Sequence, residues 1–511
     1  MRFGHEYRGQ SRRAWRGASG VVIAALGFFV LGPGCDDSID PAPPKQGNRT
    51  PESTILVQAD SLAPQFYKLA LNWLGSDPDG RVAGYNIRWQ CIDTPGVANC
   101  TDPAPWLFTI ATRATFILPV PEGTATYRFD VAAVDDEGAA DPTPASQVFT
   151  FHNAAPVVAF QASTLPTVTL PAVTFYAEAV DPDSSANPND HDAAGTIAQY
   201  RAWLDGDEAN AHTVAAALSG VTFGPEDFQG RYGPRTVFLK AIDTGGQASA
   251  AVQHTWQVNA PPDQGILLVD DCRMGGFLEQ FSDASYRNAL DAVAPGRTVV
   301  MDVETIPRLG RADLEATLSL FHDVVWYTDA DTVSSGALEL ARAGLDSLLS
   351  RGGNLLLVGG LAFGTRGAFG PEEPRFRDLF GIETVFRGPN GSTNFALSLE
   401  DTVHAVVTPA VTRFHFLSFG LRAVMECFGS RQDAVTRSLY FYPESTFVRA
   451  TADTLQPFVN TVQFDVGVQH QLAAGGHTIY VSFPLGLPIN DNLGENEAEI
   501  RELLRLAGMV P

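Results

Sequence analysis

The atoms through which this chain can act on other molecules sit at a few places: five cysteines, two Asp-Pro-Asp turns, and strand ends rich in carboxylates and glycine. Cys91 and Cys100 close a short loop with Pro95-Gly96 at its turn, and in an oxidising compartment that spacing predicts a disulfide. Cys272 follows Asp270-Asp271 directly. A thiolate there would be a nucleophile, but two adjacent carboxylates raise a thiol's pKa and suppress that form. A structural sulfur, or one bridged to Cys427, is expected instead. Hard oxygen donors gather at Asp77 and Asp79 and again at Asp181 and Asp183, with Asp190 and Asp192 in the insertion that follows. Such donors are what Ca2+ takes. Their spacing is not that of an EF-hand, and Pro, Asp and Gly form tight turns without an ion, so a calcium site and a solvated turn both stay open.

Gly359, Gly360, Gly364, Gly367 and Gly370 make a glycine-rich segment with Arg366 inside it. It would cradle an anion only at a helix N-terminus. No Gly-Lys-Ser or Gly-Lys-Thr follows, and Pro371 and Pro374 interrupt any immediate long helix, so a loop over a sheet edge is expected. The ten histidines show no metal-ligand spacing; His404, His415, His470 and His477 fall in or near apolar strand-like segments and read as structural. No His-Glu-x-x-His, Gly-x-Ser-x-Gly or paired Cys-x-x-Cys occurs, which removes the usual support for a zinc peptidase, a serine hydrolase or a zinc ribbon.

Positioning these residues falls first to a set of short apolar runs in 265–360. Ile266-Leu267-Leu268-Val269, Thr298-Val299-Val300-Met301, Val324-Val325-Trp326-Tyr327 and Leu355-Leu356-Leu357-Val358 are unbroken where half-exposed strands would alternate, as suits parallel strands covered on both faces. Three of them end in Asp270-Asp271, Thr328-Asp329 and Gly359-Gly360, and the carboxyl edge of an open α/β sheet is where ligands bind. Asp270, Asp271, Cys272, Asp329, Gly359 and Gly360 are therefore the candidate ligand edge. Between the runs, 277–293 and 336–349 carry apolar residues at helical spacing, among them Leu338, Leu345, Leu348 and Leu349, which completes a β-α-β-α-β core.

From 56 to 258 the pattern changes to short alternating strands separated by turn residues, as in antiparallel sandwiches. The segment repeats itself. Asp77-Pro78-Asp79 recurs as Asp181-Pro182-Asp183, the strand ending at Asp135 recurs as that ending at Asp243, and Asn153-Ala154-Ala155-Pro156 recurs as Asn259-Ala260-Pro261-Pro262, at offsets of 104, 108 and 106. A period of about a hundred residues is one immunoglobulin-sized sandwich. The region resembles tandem fibronectin type III or related immunoglobulin-like modules of bacterial surface proteins.

At the N-terminus, Arg2, Arg8, Arg12, Arg13 and Arg16 precede an apolar run over 21–31 and the small residues Gly32-Pro33-Gly34 before Cys35, the layout of an export signal. The segment resembles a bacterial lipoprotein signal, with Gly32 standing where that family usually has Leu. The resemblance implies cleavage and lipidation at Cys35, against plain cleavage nearby that would leave a soluble secreted protein. The Pro-rich stretch that follows reads as a solvated tether. Lys plus Arg total 34 against 58 Asp plus Glu, a net charge of −24, which argues against nucleic acid as a partner and is otherwise a solubility device.

The last third also resembles the class I glutamine amidotransferase-like superfamily, a flavodoxin-like three-layer fold. The resemblance is carried by the run from Ile266 to Asp271, that from Asp323 to Asp329, Arg351-Gly352-Gly353-Asn354 with the run behind it, a final strand from His477 and a terminal helix over 495–506. Catalytic members place a nucleophilic cysteine in the sharp turn after the strand that here ends at Val358. This chain has Gly359-Gly360-Leu361-Ala362 there, with no thiol or hydroxyl until Thr365, so the resemblance implies a fold without its nucleophile. The expected organisation is a signal peptide over 1–34, a tether over 35–55, sandwiches over 56–153 and 154–262, and the α/β domain over 263–511. The expected role is a lipid-anchored envelope protein that presents a non-catalytic α/β domain to a surface protein or glycan, with a cell-surface hydrolase and a purely structural envelope protein as alternatives.

Overall fold

A strand with one face in a core buries every second residue, and Gly233–Asp243 does so from Arg235 through Val237, Leu239 and Ala241 to Asp243. The computed structural model of the chain describes residues 47–56, 65–66, 68–93, 100, 103–183, 196–273, 276–329, 336–359, 362–363, 368–370, 373–386, 394–396, 402–406, 413–415, 424–442, 464–487 and 494–511. Cys35, Asp190, Asp192, Gly360, Gly364, Arg366 and Gly367 lie outside the described residues, as do the side chains of Asp329, His404 and His415.

The internal repeat emerges as two β-sandwiches of the same plan. In the first, Glu52–Leu56, Lys68–Ser76 and Arg113–Ile117 form a three-stranded sheet that faces Gln65–Phe66, Ala145–His152, Thr124–Asp135, Val82–Asp93 and Leu107–Thr109. In the second, Val157–Phe160, Val173–Val180 and Gly220–Phe223 face Val168–Thr169, Val252–Val258, Gly233–Asp243, Ile197–Leu204 and His212–Ala215. Both five-stranded sheets gain their outermost strand by a two-residue parallel pairing, Gln65 opposite Phe151 and Val168 opposite Gln257. Aromatic side chains fill the interiors: Trp73, Phe116, Phe129 and Phe151 in the first, Phe175, Phe223, Phe228 and Trp256 in the second. The first sandwich takes in residues that were expected to precede it. Glu52–Leu56 already pairs with Lys68–Ser76, and Ser53 donates its backbone N–H to Asp141 at 2.8 Å, so the first sandwich begins before residue 56.

In the last third, Thr298–Asp302, Ile266–Asp270, Asp323–Asp329, Asn354–Gly359 and His477–Val481 lie side by side and parallel, in that spatial order. Their unbroken apolar character has a direct structural cause, because alternate residues enter two different cores. Ile266, Leu268, Val325, Tyr327, Leu356 and Val358 pack toward the helices Gly276–Val293 and Gly494–Leu506. Leu267, Val269, Val324, Trp326, Leu355 and Leu357 pack toward Arg311–Ser319, Arg342–Ser350 and Pro374–Phe380. Each such aliphatic side chain contributes about 1.5–3 kcal/mol on burial, and a polar residue within either register would break one helix layer from the sheet. Beyond His477–Val481 the sheet continues antiparallel through Phe464–Gln471, Thr436–Tyr442, Thr402–Ala405 and Arg413–His415, an extension that the apolar runs did not announce.

Candidate functional site

The strand Ile266–Asp270 sits between Thr298–Asp302 and Asp323–Asp329, so Asp270 is flanked in register by Asp302 on one side and Tyr327 on the other. This is the point at which the chain's order across the sheet reverses. The helix Gly276–Val293 crosses above it and delivers Asp283, Tyr286 and Arg287 from one face, a consequence of three- and four-residue spacing. Tyr286 stacks on Tyr327 with ring centroids 4.1 Å apart, the Tyr327 hydroxyl donates to Asp283 Oδ1 at 2.9 Å, and Arg287 lies 3.8 Å from Asp270 Oδ2.

Asp270 is almost fully buried, and its Oδ1 accepts a long 3.4 Å hydrogen bond from the backbone N–H of Cys272. Burial pushes its carboxyl up to about 7; the charges of Asp283 and Asp302 act in the same direction, while hydrogen bonds from Tyr327 and the Cys272 N–H oppose it. Burial together with the Asp270 and Asp283 carboxylates drives the Tyr327 phenol far above its ordinary range. The arrangement is a proton-holding carboxyl at a sheet edge, next to a phenol that stays protonated.

The candidate edge residues do not share one face of the sheet. Asp271 does not join Asp270, because consecutive strand residues face opposite ways. Its Oδ2 accepts from Trp326 Nε1 at 3.1 Å on the other face of the sheet. Cys272 is buried in the core beneath Gly276–Val293, Cys427 is buried as well, and no disulfide joins the two. Burial, with the Glu426 carboxylate beside it, pushes the Cys427 thiol well up and away from its reactive form. Asp329 pairs in register with Gly359, which ends its strand at φ +136°, a conformation suited to glycine.

Behind that turn stands a residue that sequence reasoning missed. Glu426 is fully buried, and its Oε2 accepts from Phe363 N at 2.8 Å and from the Tyr480 hydroxyl at 2.6 Å. Tyr480 also donates to the Gly359 carbonyl at 3.1 Å. Gly359 and Phe363 are thus held from beneath by a phenol and a carboxylate. The signal was a single charge inside the apolar Met425-Glu426-Cys427-Phe428.

The Asp-Pro-Asp turns are built by hydrogen bonds to the backbone. Asp77 Oδ1 accepts from Asp79 N at 3.2 Å and Asp79 Oδ2 from Arg49 N at 3.1 Å; Asp181 Oδ1 accepts from Asp183 N at 2.9 Å and Asp183 Oδ2 from Ala154 N at 2.6 Å. The second turn is not solvated, since Asp181 and Asp183 are buried. Among the described residues no three His, Cys, Asp or Glu side chains are arranged to hold a metal ion. His470 is buried, its Nδ1 lies 2.8 Å from Thr436 Oγ1, and burial lowers its pKa. The Cys91–Cys100 disulfide is formed, at the end of Val82–Asp93. Among the described residues no helix is long and apolar enough to cross a membrane.

No family profile and no curated protein matches the chain. Among solved structures, it is similar to the fibronectin(III)-like modules of Clostridium thermocellum CbhA, at 12% identity over 40% of this chain and 95% of that one, with a TM-score of 0.18. It is also similar to the FN1–FN3 domains of chicken CNTN1, at 13% identity over 38% of this chain and 64% of that one, with a TM-score of 0.16. At such scores the two sandwiches rest on their own strand pairing and cores.

Proposed function

We propose that the chain is an exported, lipid-anchored protein of the bacterial cell envelope, in which two sandwiches carry a flavodoxin-like α/β domain that binds a surface protein or glycan and does not catalyse. Support for the flavodoxin-like assignment is the parallel order of second, first, third, fourth and last strand, which is the doubly wound order with a ligand crevice at the reversal. The observation that carries the binding role is the strand end at Gly359: a glycine stands there, Glu426 and Tyr480 hold it from below, and Cys272 and Cys427 are both buried away from solvent. Thiol probes on the folded chain near pH 7 test this. Slow labelling of Cys272 is the expected result, and rapid labelling with a turnover that Cys272→Ser abolishes overturns it. The anchor is tested separately, by Cys35→Ser, which is expected to move the protein from the membrane fraction to the soluble one.

One observation favours the hydrolase reading. A carboxyl with a pKa of about 7 is matched to general-acid work at neutral pH, and Asp270 is such a group beside Tyr327. Against it stands access, because Asp270 is only 4% exposed. Turnover of a glycan or ester substrate that is lost in Asp270→Asn, with an inflection near pH 7 in the unsubstituted chain, would establish that reading.

A further inference from the structure

We propose that the junction between the two sandwiches binds one Ca2+ ion, through Asn153, Asp243 and Gln247 with Asp181 and Asp183 beside them, and that the ion fixes the angle between the modules. The linker residue Asn153 spans the boundary: its Nδ2 donates to the Val120 carbonyl of the first sandwich and to Asp243 Oδ1 of the second, at 3.2 Å each. Val120 N donates across the same boundary to the Gly245 carbonyl at 2.7 Å. These bonds leave three buried oxygens without a partner, Asn153 Oδ1, Asp243 Oδ2 and Gln247 Oε1. Asn153 and Asp243 are 6% and 2% exposed, so water does not reach these atoms freely. Gln247 belongs to the same group, since its N–H donates to Asp243 Oδ1 at 2.9 Å and its side-chain amide closes on Gly123 of the first sandwich.

The Asp183 carboxylate also reaches the linker. The residue after Asn153, Ala154, donates its N–H to Asp183 Oδ2, and Asp183 in turn donates to Asp181. Asp243 Oδ1 is held by Asn153 Nδ2 and by the Gln247 N–H, while its Oδ2 has no partner. Burying the partnerless Asp243 Oδ2 together with two partnerless amide oxygens is unfavourable unless something positive is shared between them. The donors are all oxygen, from carboxylates and side-chain amides, which selects a hard cation; Ca2+ accepts such irregular sets, whereas Mg2+ demands near-octahedral geometry and keeps its waters. No three carboxylates suffice here, and the two amide oxygens complete the set.

The first copy of the repeat is an internal control. At the head of the first sandwich, Asn48 Nδ2 donates to Asp135 Oδ2 at 2.7 Å and Arg49 N to Asp79 Oδ2, the counterparts of the Asn153–Asp243 and Ala154–Asp183 bonds, with Arg49 in the place of Ala154. There Asn48 and Asp79 are exposed, and the Asp135 pKa is lowered, its burial outweighed by hydrogen bonds from Asn48 and the backbone of residues 137–139. The same motif has its Asn and its turn Asp exposed in the first copy and covered by the first sandwich in the second.

Isothermal titration of the metal-free full chain with CaCl2 tests the proposal. The expected result is one site per chain with a Kd of about 10⁻⁴–10⁻³ M, as in extracellular modules, and a rise in melting temperature of the sandwich transition at several millimolar Ca2+ relative to chelator. Mg2+ at the same concentration is expected to give a smaller shift. Asp243→Asn is expected to abolish the Ca2+ response while the chain still melts cooperatively, and Gln247→Glu to tighten binding at least severalfold. Identical melting with Ca2+ and with chelator in the unsubstituted chain overturns the proposal. So does a Ca2+ response that survives in Asp243→Asn, which would place the ion elsewhere.

Discussion

Burial keeps the proton on Asp270 up to a pH of about 7, whereas in the unfolded chain it leaves near the ordinary value of 3.8. Below that ordinary value both states are protonated, and the folded state loses nothing. As pH rises toward 7 the unfolded chain ionises alone, so stability falls across this window and levels off above it. The whole difference is at most about 4 kcal/mol. Asp270→Asn keeps the shape and removes the ionisation. It is expected to leave the α/β domain more stable than the unsubstituted chain at pH 8 and little changed at pH 4, by denaturant titrations followed through tryptophan fluorescence. Equal pH profiles for the two chains would show that Asp270 is ionised at neutral pH. At this scale the sequence marked the edge and missed its partners. An apolar run that stops at Asp270-Asp271 announces a strand end, but the period of two then sends Asp270 toward Asp283 and Asp271 toward Trp326. Asp283 reads as a surface charge on an amphipathic helix, and nothing local tells that its oxygen receives the Tyr327 hydroxyl.

Elements were legible wherever one pattern dominated them. The unbroken runs over 266–269, 324–327 and 355–358 are strands because both of their faces are covered, and the alternation in Gly233–Asp243 is a strand with one face in a core. Harder to read were the antiparallel strands Thr402–Ala405 and Arg413–His415, of four and three residues, too short to display a period. The disulfide belongs to this scale, because it ties the end of Val82–Asp93 to Cys100, nine residues on, where the chain turns toward Leu107–Thr109. Its main effect is to restrict the unfolded chain, and so short a loop is worth about 2 to 3 kcal/mol. The double substitution Cys91→Ser and Cys100→Ser is expected to lower the stability of the first sandwich by that amount and to leave the α/β transition unchanged. Non-reducing peptide maps check the bridge itself, and two free thiols there would remove the basis of this expectation.

Across the whole molecule, the orientation of the α/β domain depends on a few side chains that no repeat or apolar run reveals. Asp313 sits in the first turn of the helix Arg311–Ser319, where its Oδ2 accepts from Gly310 N at 3.0 Å. The same oxygen accepts the Tyr176 hydroxyl of the second sandwich at 3.2 Å, so one carboxylate caps a helix and holds the neighbouring module. Arg308 lies over the Tyr176 ring, 4.1 Å from its centroid, and donates to Ser219 Oγ at 3.2 Å. Burial, with the Asp313 charge next, pushes the Tyr176 phenol up to about 12, so this hydrogen bond persists throughout the physiological range. Between the modules run the exposed residues Asn259, Ala260, Asp263 and Gln264, and the Gln264 carbonyl accepts from Arg297 at 2.9 Å and 2.6 Å. That clasp fixes the linker's end and leaves the angle to the Tyr176 contacts. Tyr176→Phe removes only the hydroxyl and is expected to weaken the contact by about 1 kcal/mol. Arg308→Ala adds the loss of the cation over the ring, about 0.5–2 kcal/mol more. The pair together should therefore loosen the α/β domain on its spacer without unfolding either. Small-angle scattering is expected to report a larger radius of gyration, and limited proteolysis faster cleavage within 259–264, while the melting of the α/β domain stays in place. Unchanged scattering and cleavage in the double variant would assign the fixed angle to the Arg297 clasp and the apolar packing of Leu170 against the α/β core.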